Sequence, residues 1–170
     1  MNGQIAASNQ AFIGIDPGKS GAIAVFRPRV GRLDIFDMPT LEITRNGKTK
    51  HELSPIMLAN QLSDFQHLQP IPKVIMERVG AMPGQGVTSA FNFGFTTGCI
   101  HGIIAACGIE IRTVSPQVWK RKYGLIGQNK DASRGEASRR FPEFTHLWSL
   151  KKHDGRAEAA LLALYGSEMT

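Results

Sequence analysis

Four carboxylates in this chain of 170 residues stand where carboxylates are costly or crowded. Asp16 closes the apolar run AFIGI, Glu77 closes KVIM, and Asp154 and Glu158 lie four residues apart at the head of DGRAEAALLALYG. A lone charge at the end of a buried strand costs several kcal/mol unless a cation, a metal or several donors meet it. Two acids four apart on a helix share one face a turn apart and repel unless a cation sits with them. A divalent ion satisfies both needs. Oxygen-only sites favour magnesium or manganese, and two such ions about 3.5–4 Å apart can stabilise the attacking water and the leaving oxygen of a phosphodiester. The expected chemistry is therefore metal-assisted phosphodiester hydrolysis, with Asp16, Glu77, Asp154 and Glu158 as ligands and catalytic groups. Each acid alone also has a plainer reading: Glu77 could pair with Arg78 or Lys73, and Asp154 could simply be an acid in a helix first turn.

The elements that would position these acids follow from patterning. AFIGIDPGKSGAIAVFRP is two apolar runs about a Gly/Pro/Ser turn, the signature of a hairpin, and Arg32 to Met38 adds a third antiparallel strand. Pro39 to Leu53 is polar and rich in Lys, Arg and Thr, which predicts a loop with a turn at Asn46-Gly47 and the least order in the chain. Ser54-Pro55 opens a helix that runs to about His67 and is ended by Pro70 and Pro72. KVIMERV reads as a buried strand, and a glycine-rich loop follows it. Ser89 to Cys107 has helical length, with Gly94, Gly98 and Gly102 recurring at every fourth position, so another element can pack very close along that face. IEIRTVS predicts a strand leading into a helix capped by Ser115 with Pro116 first, and the basic cluster Lys120, Arg121, Lys122 follows. A polar helix is expected over Lys130 to Arg140 and a last one over Gly155 to Tyr165, stopped by Gly166. A strand meander followed by alternating helices and strands predicts one α/β domain spanning residues 1–170, its core about 11–166, with a mixed sheet flanked by helices on both faces.

Composition sets the class. With 42% hydrophobic and 20% charged residues and no apolar run near the roughly 18 residues of a membrane span, a soluble globular protein is expected. MNGQIAASNQAF shows no export or organelle signal, which predicts residence in the cytoplasm. Cys99 and Cys107 lie eight apart on one expected helix, too far for a disulfide, and are read as small buried hydrophobes in a reducing compartment. A net charge of +6 and a pI of about 9.6 suit a partner that is a polyanion.

Taken in order, IGIDPGKSGAIAVF, VIMERV, the glycine-rich loop with its long helix, TVSPQVWK and KKHDGRAEAALLALYG resemble the RuvC family of Holliday-junction resolvases, over residues 12–166. The resemblance implies an RNase H-like fold with a five-stranded mixed sheet. It implies magnesium, replaceable by manganese and in two ions per site, bound by Asp16, Glu77, Asp154 and Glu158. It also implies a two-fold homodimer that cuts four-way DNA junctions in recombination and repair, one active site on each of two opposite strands. The small-residue face of the Ser89 to Cys107 helix would suit the dimer contact, or equally packing on the sheet. The last motif looks like that of short phage-encoded members, which would place the protein in the host cytoplasm. Two departures stand out: the bacterial family commonly spaces its last two acids three apart rather than four, and it has an aromatic just after the mid-chain glutamate where this chain reads Gly80, Ala81, Met82, Pro83. Met82 is a candidate wedge between bases or, alternatively, cover for the core.

The resemblance gives the basic residues a role. Lys120, Arg121, Lys122, Lys130, Arg134, Lys151 and Lys152 are expected to contact DNA phosphates, Lys151 and Lys152 foremost because they adjoin the last two acids. His153 is a candidate ligand or proton donor to the leaving group, or a surface residue beside two lysines. Trp119 is expected in the core. Three rival readings share some of these features. A flap, fork or RNA nuclease would use the same acids. An actin-like or sugar-kinase ATPase fragment would need two such domains. A non-catalytic DNA-binding relative would be expected to lack some of the four acids, all of which are present.

Overall fold

The structure, a computed structural model, describes residues 9–80, 84, 86–129 and 131–169. Met82 and Lys130 therefore lie outside the described residues. Strands β1 (Phe12–Ile15), β2 (Ala22–Arg27) and β3 (Arg32–Asp37) form the expected antiparallel meander, rich in the β-branched residues that suit a pleated surface. Strands β6 (Lys73–Glu77) and β7 (Ile111–Val114) join parallel on the other side of β1, giving one five-stranded sheet in the order β3-β2-β1-β6-β7.

Pro39 to Leu53 is not a loop. Strands β4 (Thr40–Arg45) and β5 (Lys48–Leu53) pair antiparallel as a separate two-stranded ribbon. The turn does fall at Asn46-Gly47, with φ of 52° and 70°, the left-handed pair that a two-residue hairpin requires. The ribbon's side chains are mostly polar because both of its faces meet solvent, so charge is no argument against strand there.

The sheet is covered on both faces. On one, Ile13, Ile15, Ile23, Val25, Val74 and Met76 meet Leu58 and Leu62 of α1 (Pro55–Ser63) and Ile100 and Ile104 of α2 (Val87–Ala106). On the other, Ala22, Ala24, Leu33 and Ile75 meet Trp119 of α3 (Pro116–Lys122), Ala137 of α4 (Ala132–Arg140), Trp148, and the alanine-rich face of α5 (Asp154–Glu168). Ser54 caps α1, its hydroxyl accepting from the Met57 amide at 3.3 Å. Ser115 stands at the N-cap of α3 without a side-chain bond.

Two glycine expectations change. A Cβ at Gly94, Gly98 or Gly102 would meet nothing within 4 Å, so no described element packs on that face of α2; Thr96, Ile100 and Ile104 face the core instead. Gly166 does not stop α5, which continues to Glu168. A Cβ there would lie 2.6 Å from Ile75 Cγ1, so the glycine is needed for packing against β6. Cys99 and Cys107 are free and only half-buried. Among the described residues, no helix is long and apolar enough to cross a membrane.

Candidate active site

The sheet brings two of the acids together by register alone. Ile15 is the partner of Met76 in the parallel pair, so Asp16 and Glu77 emerge side by side at the same end. The other two arrive through close packing. Gly14 has no side chain, and α5 lies directly on it: a Cβ at position 14 would stand 2.0 Å from the Ala159 carbonyl oxygen and 2.3 Å from the Ala163 nitrogen. At the head of α5, a Cβ on Gly155 would stand 2.3 Å from the Ser20 carbonyl oxygen and 3.0 Å from Asp16 Oδ2. The two glycines let the first turn of α5 settle against the Asp16 turn, carrying Asp154 and Glu158 with it. Asp16, Asp154 and Glu158 line an open cleft of about 660 Å³, together with Lys120, Lys151, Lys152 and the 125–129 loop.

Each acid has its own partner. Asp16 Oδ1 accepts from the Gly18 amide at 3.1 Å. Burial nevertheless pushes its carboxyl up to about 7, with Glu158 and Glu77 adding to the rise. Glu77 Oε2 accepts from the Trp119 indole at 2.8 Å; burial raises its carboxyl and that bond opposes the rise. Glu158 Oε1 accepts from Ser133 Oγ at 2.9 Å and lies 3.0 Å from Lys120 Nζ. Asp154 Oδ1 lies 2.8 Å from Arg134 Nε, yet that N–H does not point at it, so both buried atoms lack a hydrogen bond. The contact is an ion pair without a well-aligned bond.

The remaining basic residues divide. Lys151 and Lys152 line the cleft. Lys120 lines it too, but is engaged with Glu158 and lies over the Trp119 ring. Arg134 also pairs with Asp131. Arg121 is exposed. Lys122 is drawn to Glu168 at the far end of α5, 2.9 Å away, and not to the cleft. His153 does not line the cleft; burial holds its imidazole below the usual range, and Arg156 and Lys152 add to that effect.

Two contributors were not foreseen in the sequence. Trp119, read as core, is fully buried and also supplies the donor to Glu77. Ser133, on the buried face of a helix composed mainly of polar residues, is the hydroxyl partner of Glu158. Trp119→Phe keeps most of the volume and removes the donor. It is expected to cost on the order of 2–4 kcal/mol in urea unfolding, as a charge-assisted bond is lost and a small cavity opens. An unchanged midpoint would show that the indole does not support Glu77.

The donor set fits a divalent cation in kind: four carboxylates, two of them (Asp16 and Glu77) raised by burial, and a buried Asp154 oxygen without a hydrogen bond. As the side chains stand, no three His, Cys, Asp or Glu among the described residues are grouped closely enough to hold an ion. Each of three acids is instead engaged by the protein: Glu77 by Trp119, Glu158 by Ser133 and Lys120, and Asp154 by Arg134.

No family model matches the chain. Over 85 residues, 49% of its length, it is 33% identical to the protein described as Holliday junction resolvase MOC1, chloroplastic, of Chlamydomonas reinhardtii, and it covers 10% of that relative. The Thermus thermophilus RuvC structure superposes with a TM-score of 0.55 at 13% identity, covering 94% of this chain and 96% of that one. The chain is RuvC-like in fold. T. thermophilus RuvC in complex with a Holliday junction substrate matches as well, with a TM-score of 0.53, 13% identity and the same coverage. The RuvC-like architecture is the mixed five-stranded sheet of the RNase H-like fold that the resemblance implied.

Proposed function

We propose that this chain is a single nuclease domain, a metal-dependent endonuclease that resolves four-way DNA junctions. The observation that carries the reading is the convergence of Asp16, Glu77, Asp154 and Glu158, from separate stretches of sequence, at one end of the sheet beside a cleft edged by Lys151 and Lys152. The likeness to RuvC bound to a junction and to a junction resolvase supports the substrate.

In this reading, the four carboxylates would hold magnesium, or manganese, in two ions. The metal would supply charge stabilisation at the scissile phosphate and an acidified water. The chain's own residues do the rest. Burial of Asp16 keeps its carboxyl in want of a cation, Trp119 orients Glu77, and Ser133 orients Glu158. Lys120 and Arg134 neutralise the acids until a cation replaces them, and Lys151 and Lys152 hold phosphates at the cleft mouth. Met82 and Lys130 are proposed DNA contacts on the sequence pattern alone, as are Arg121 and Lys122 away from the cleft lining. His153, beside the acids, is proposed as a ligand or as the proton donor to the leaving group.

A two-fold homodimer would place two such sites on opposing strands. The open face of α2 supports it: the stripe of Gly94, Gly98 and Gly102 lies with exposed Phe91 and Phe95 and has no described partner in the chain. The cytoplasm is the proposed compartment.

The test is cleavage of a synthetic four-way junction beside a fork, a flap and a linear duplex, with magnesium. Paired symmetric nicks on the junction alone are expected. Equal cutting of flaps and forks would make this a broader structure-selective nuclease, and no cutting of any substrate would overturn the catalytic reading.

A further inference from the structure

The β4–β5 ribbon contributes no residue to the acid site, and its position and charge are both specific. Strand β3 runs parallel to β1, with Asp37 opposite Ala22, so the chain leaves the sheet at the same end as Asp16. The departure is anchored. The Met38 amide donates to the Gly21 carbonyl at 3.0 Å, the Ser54 amide to the Pro39 carbonyl at 2.9 Å, and the Met38 and Leu53 side chains are buried. Asp37 takes both nitrogens of a fork from Arg156 at 2.6 Å each, and Arg156 lies two residues beyond Asp154 on α5. The base of the ribbon is thus tied to the helix that carries two of the candidate catalytic acids.

Beyond that base the ribbon is exposed. Six residue pairs at about 3.4 Å each make an arm of about 20 Å. Alternation sorts its side chains. Thr44, Thr49, Glu42 and His51 share one face, where the two threonine hydroxyls lie 3.3 Å apart. Arg45, Lys48 and Lys50 share the other, around the tip. From Thr44 to His51 there is no acid. Glu52 lies 3.8 Å from Arg45, while Lys48 and Lys50 have no ion-pair partner among the described residues. Lys48 and Lys50 crowd Arg45 on one face of a solvent-exposed tip without an ion pair of their own, and the exposed Arg45–Glu52 pair adds little, so stability does not account for three cations there. A polyanion at that face would. A two-stranded ribbon also has the cross-section that the major groove of duplex DNA admits.

We propose that the β4–β5 ribbon binds a duplex arm of the DNA substrate through phosphates, with Arg45, Lys48 and Lys50 as the contacting residues. It acts as an arm that fixes the angle at which that duplex leaves the cleft. This rests on the nuclease reading for the identity of the substrate. The three cations contact DNA backbone and not the scissile bond, so they set affinity and orientation rather than chemistry.

The experiment is anisotropy of a fluorescein-labelled four-way junction and of a matching linear duplex in EDTA, across a salt series. Three proteins are compared: wild type, the triple variant Arg45→Gln, Lys48→Gln, Lys50→Gln, and the charge-keeping variant Lys48→Arg, Lys50→Arg. The triple variant is expected to bind the junction at least about tenfold more weakly at 100 mM salt, with a salt slope shallower by about 2 to 3, near 0.9 for each phosphate no longer neutralised. The charge-keeping variant should bind like wild type, and all three should melt together. A triple variant with wild-type affinity and slope overturns the ribbon contact and leaves the nuclease reading standing. Loss of binding in the charge-keeping variant also overturns it, because shape and not charge would then be at work. Wild type that binds neither DNA overturns the ribbon contact and the substrate together.

Discussion

Asp16→Asn is expected to abolish cleavage and, above pH 7, to stabilise the protein. The loss of cleavage follows from the proposed role: Asp16 stands at the centre of the acid group, and an amide neither binds a divalent cation well nor carries the charge. A fall of three orders of magnitude or more in rate would be typical of a lost catalytic group. The gain in stability follows from its surroundings. The Asp16 carboxyl titrates near 4 when unfolded and at about 7 in the fold, because burial disfavours the charged form. Between those values the folded protein holds a proton that the unfolded chain has released. Stability contributed by the protonated group is therefore present below about pH 4 and falls as pH rises toward 7. A shift of this size corresponds to on the order of 4 kcal/mol once the carboxyl is ionised. Asparagine never pays that penalty and keeps an oxygen for the Gly18 amide. Melting curves from pH 4 to 8 should show wild type losing stability across the window while the variant stays nearly flat. Magnesium added at pH 8 should stabilise the wild type by roughly 3 kcal/mol at a hundredfold excess over its Kd, seen as a higher midpoint, and leave the variant where it was. A variant less stable than wild type at pH 8 would sink the account of Asp16 as a buried charge whose desolvation the Gly18 amide does not offset.

The acids were legible in the sequence because their cost was. A carboxylate directly after FIGI or VIM cannot be a casual surface residue when those runs are buried strands, and both are. The five-stranded sheet was legible for the same reason, since apolar runs of strand length between turn residues admit few other arrangements. What escaped was set by partners distant in sequence. Nothing in SPQVWK says that the Trp119 indole will reach Glu77, 42 residues earlier, and nothing in KDASRG singles out Ser133 for Glu158, 25 residues later. The β4–β5 ribbon escaped because strand patterning presupposes a buried face, and this ribbon has almost none. Its polar residues suggested a loop, while Thr40, Ile43, Thr44 and Thr49 carried the weaker β-branched signal. The α2 glycines show the converse failure. Their spacing reads the same whether the face is packed or open, and in the described chain it is open.

Glycine substitutions along α5 should separate the seating of the helix from the chemistry it serves. At Gly14 an added Cβ would collide with two backbone atoms in the middle of the helix, at 2.0 and 2.3 Å, and neither can rotate away. Gly14→Ala must push α5 off β1 as a whole, opening the core on that face. The expected cost lies at or beyond the upper end of the usual range of about 1–3 kcal/mol for overpacking, with little folded protein recovered. At Gly155 the collision is with the Ser20 carbonyl oxygen at 2.3 Å and Gly21 Cα at 2.7 Å, at the free end of the helix, where one turn can lift without disturbing Ala159 to Ala163. Gly155→Ala should therefore fold and melt within a few degrees of wild type. It would nevertheless carry Asp154 and Glu158 away from Asp16. A misplacement of about 1 Å at reacting groups costs on the order of a hundredfold in rate, and that is the loss expected in junction cleavage. Gly98→Ala serves as the contrast: with nothing within 4 Å and an exposed helical position, it should stabilise α2 by up to about 1 kcal/mol. If Gly155→Ala were to cut at the wild-type rate while remaining folded, the close approach of α5 to the Asp16 turn would not be what assembles the site.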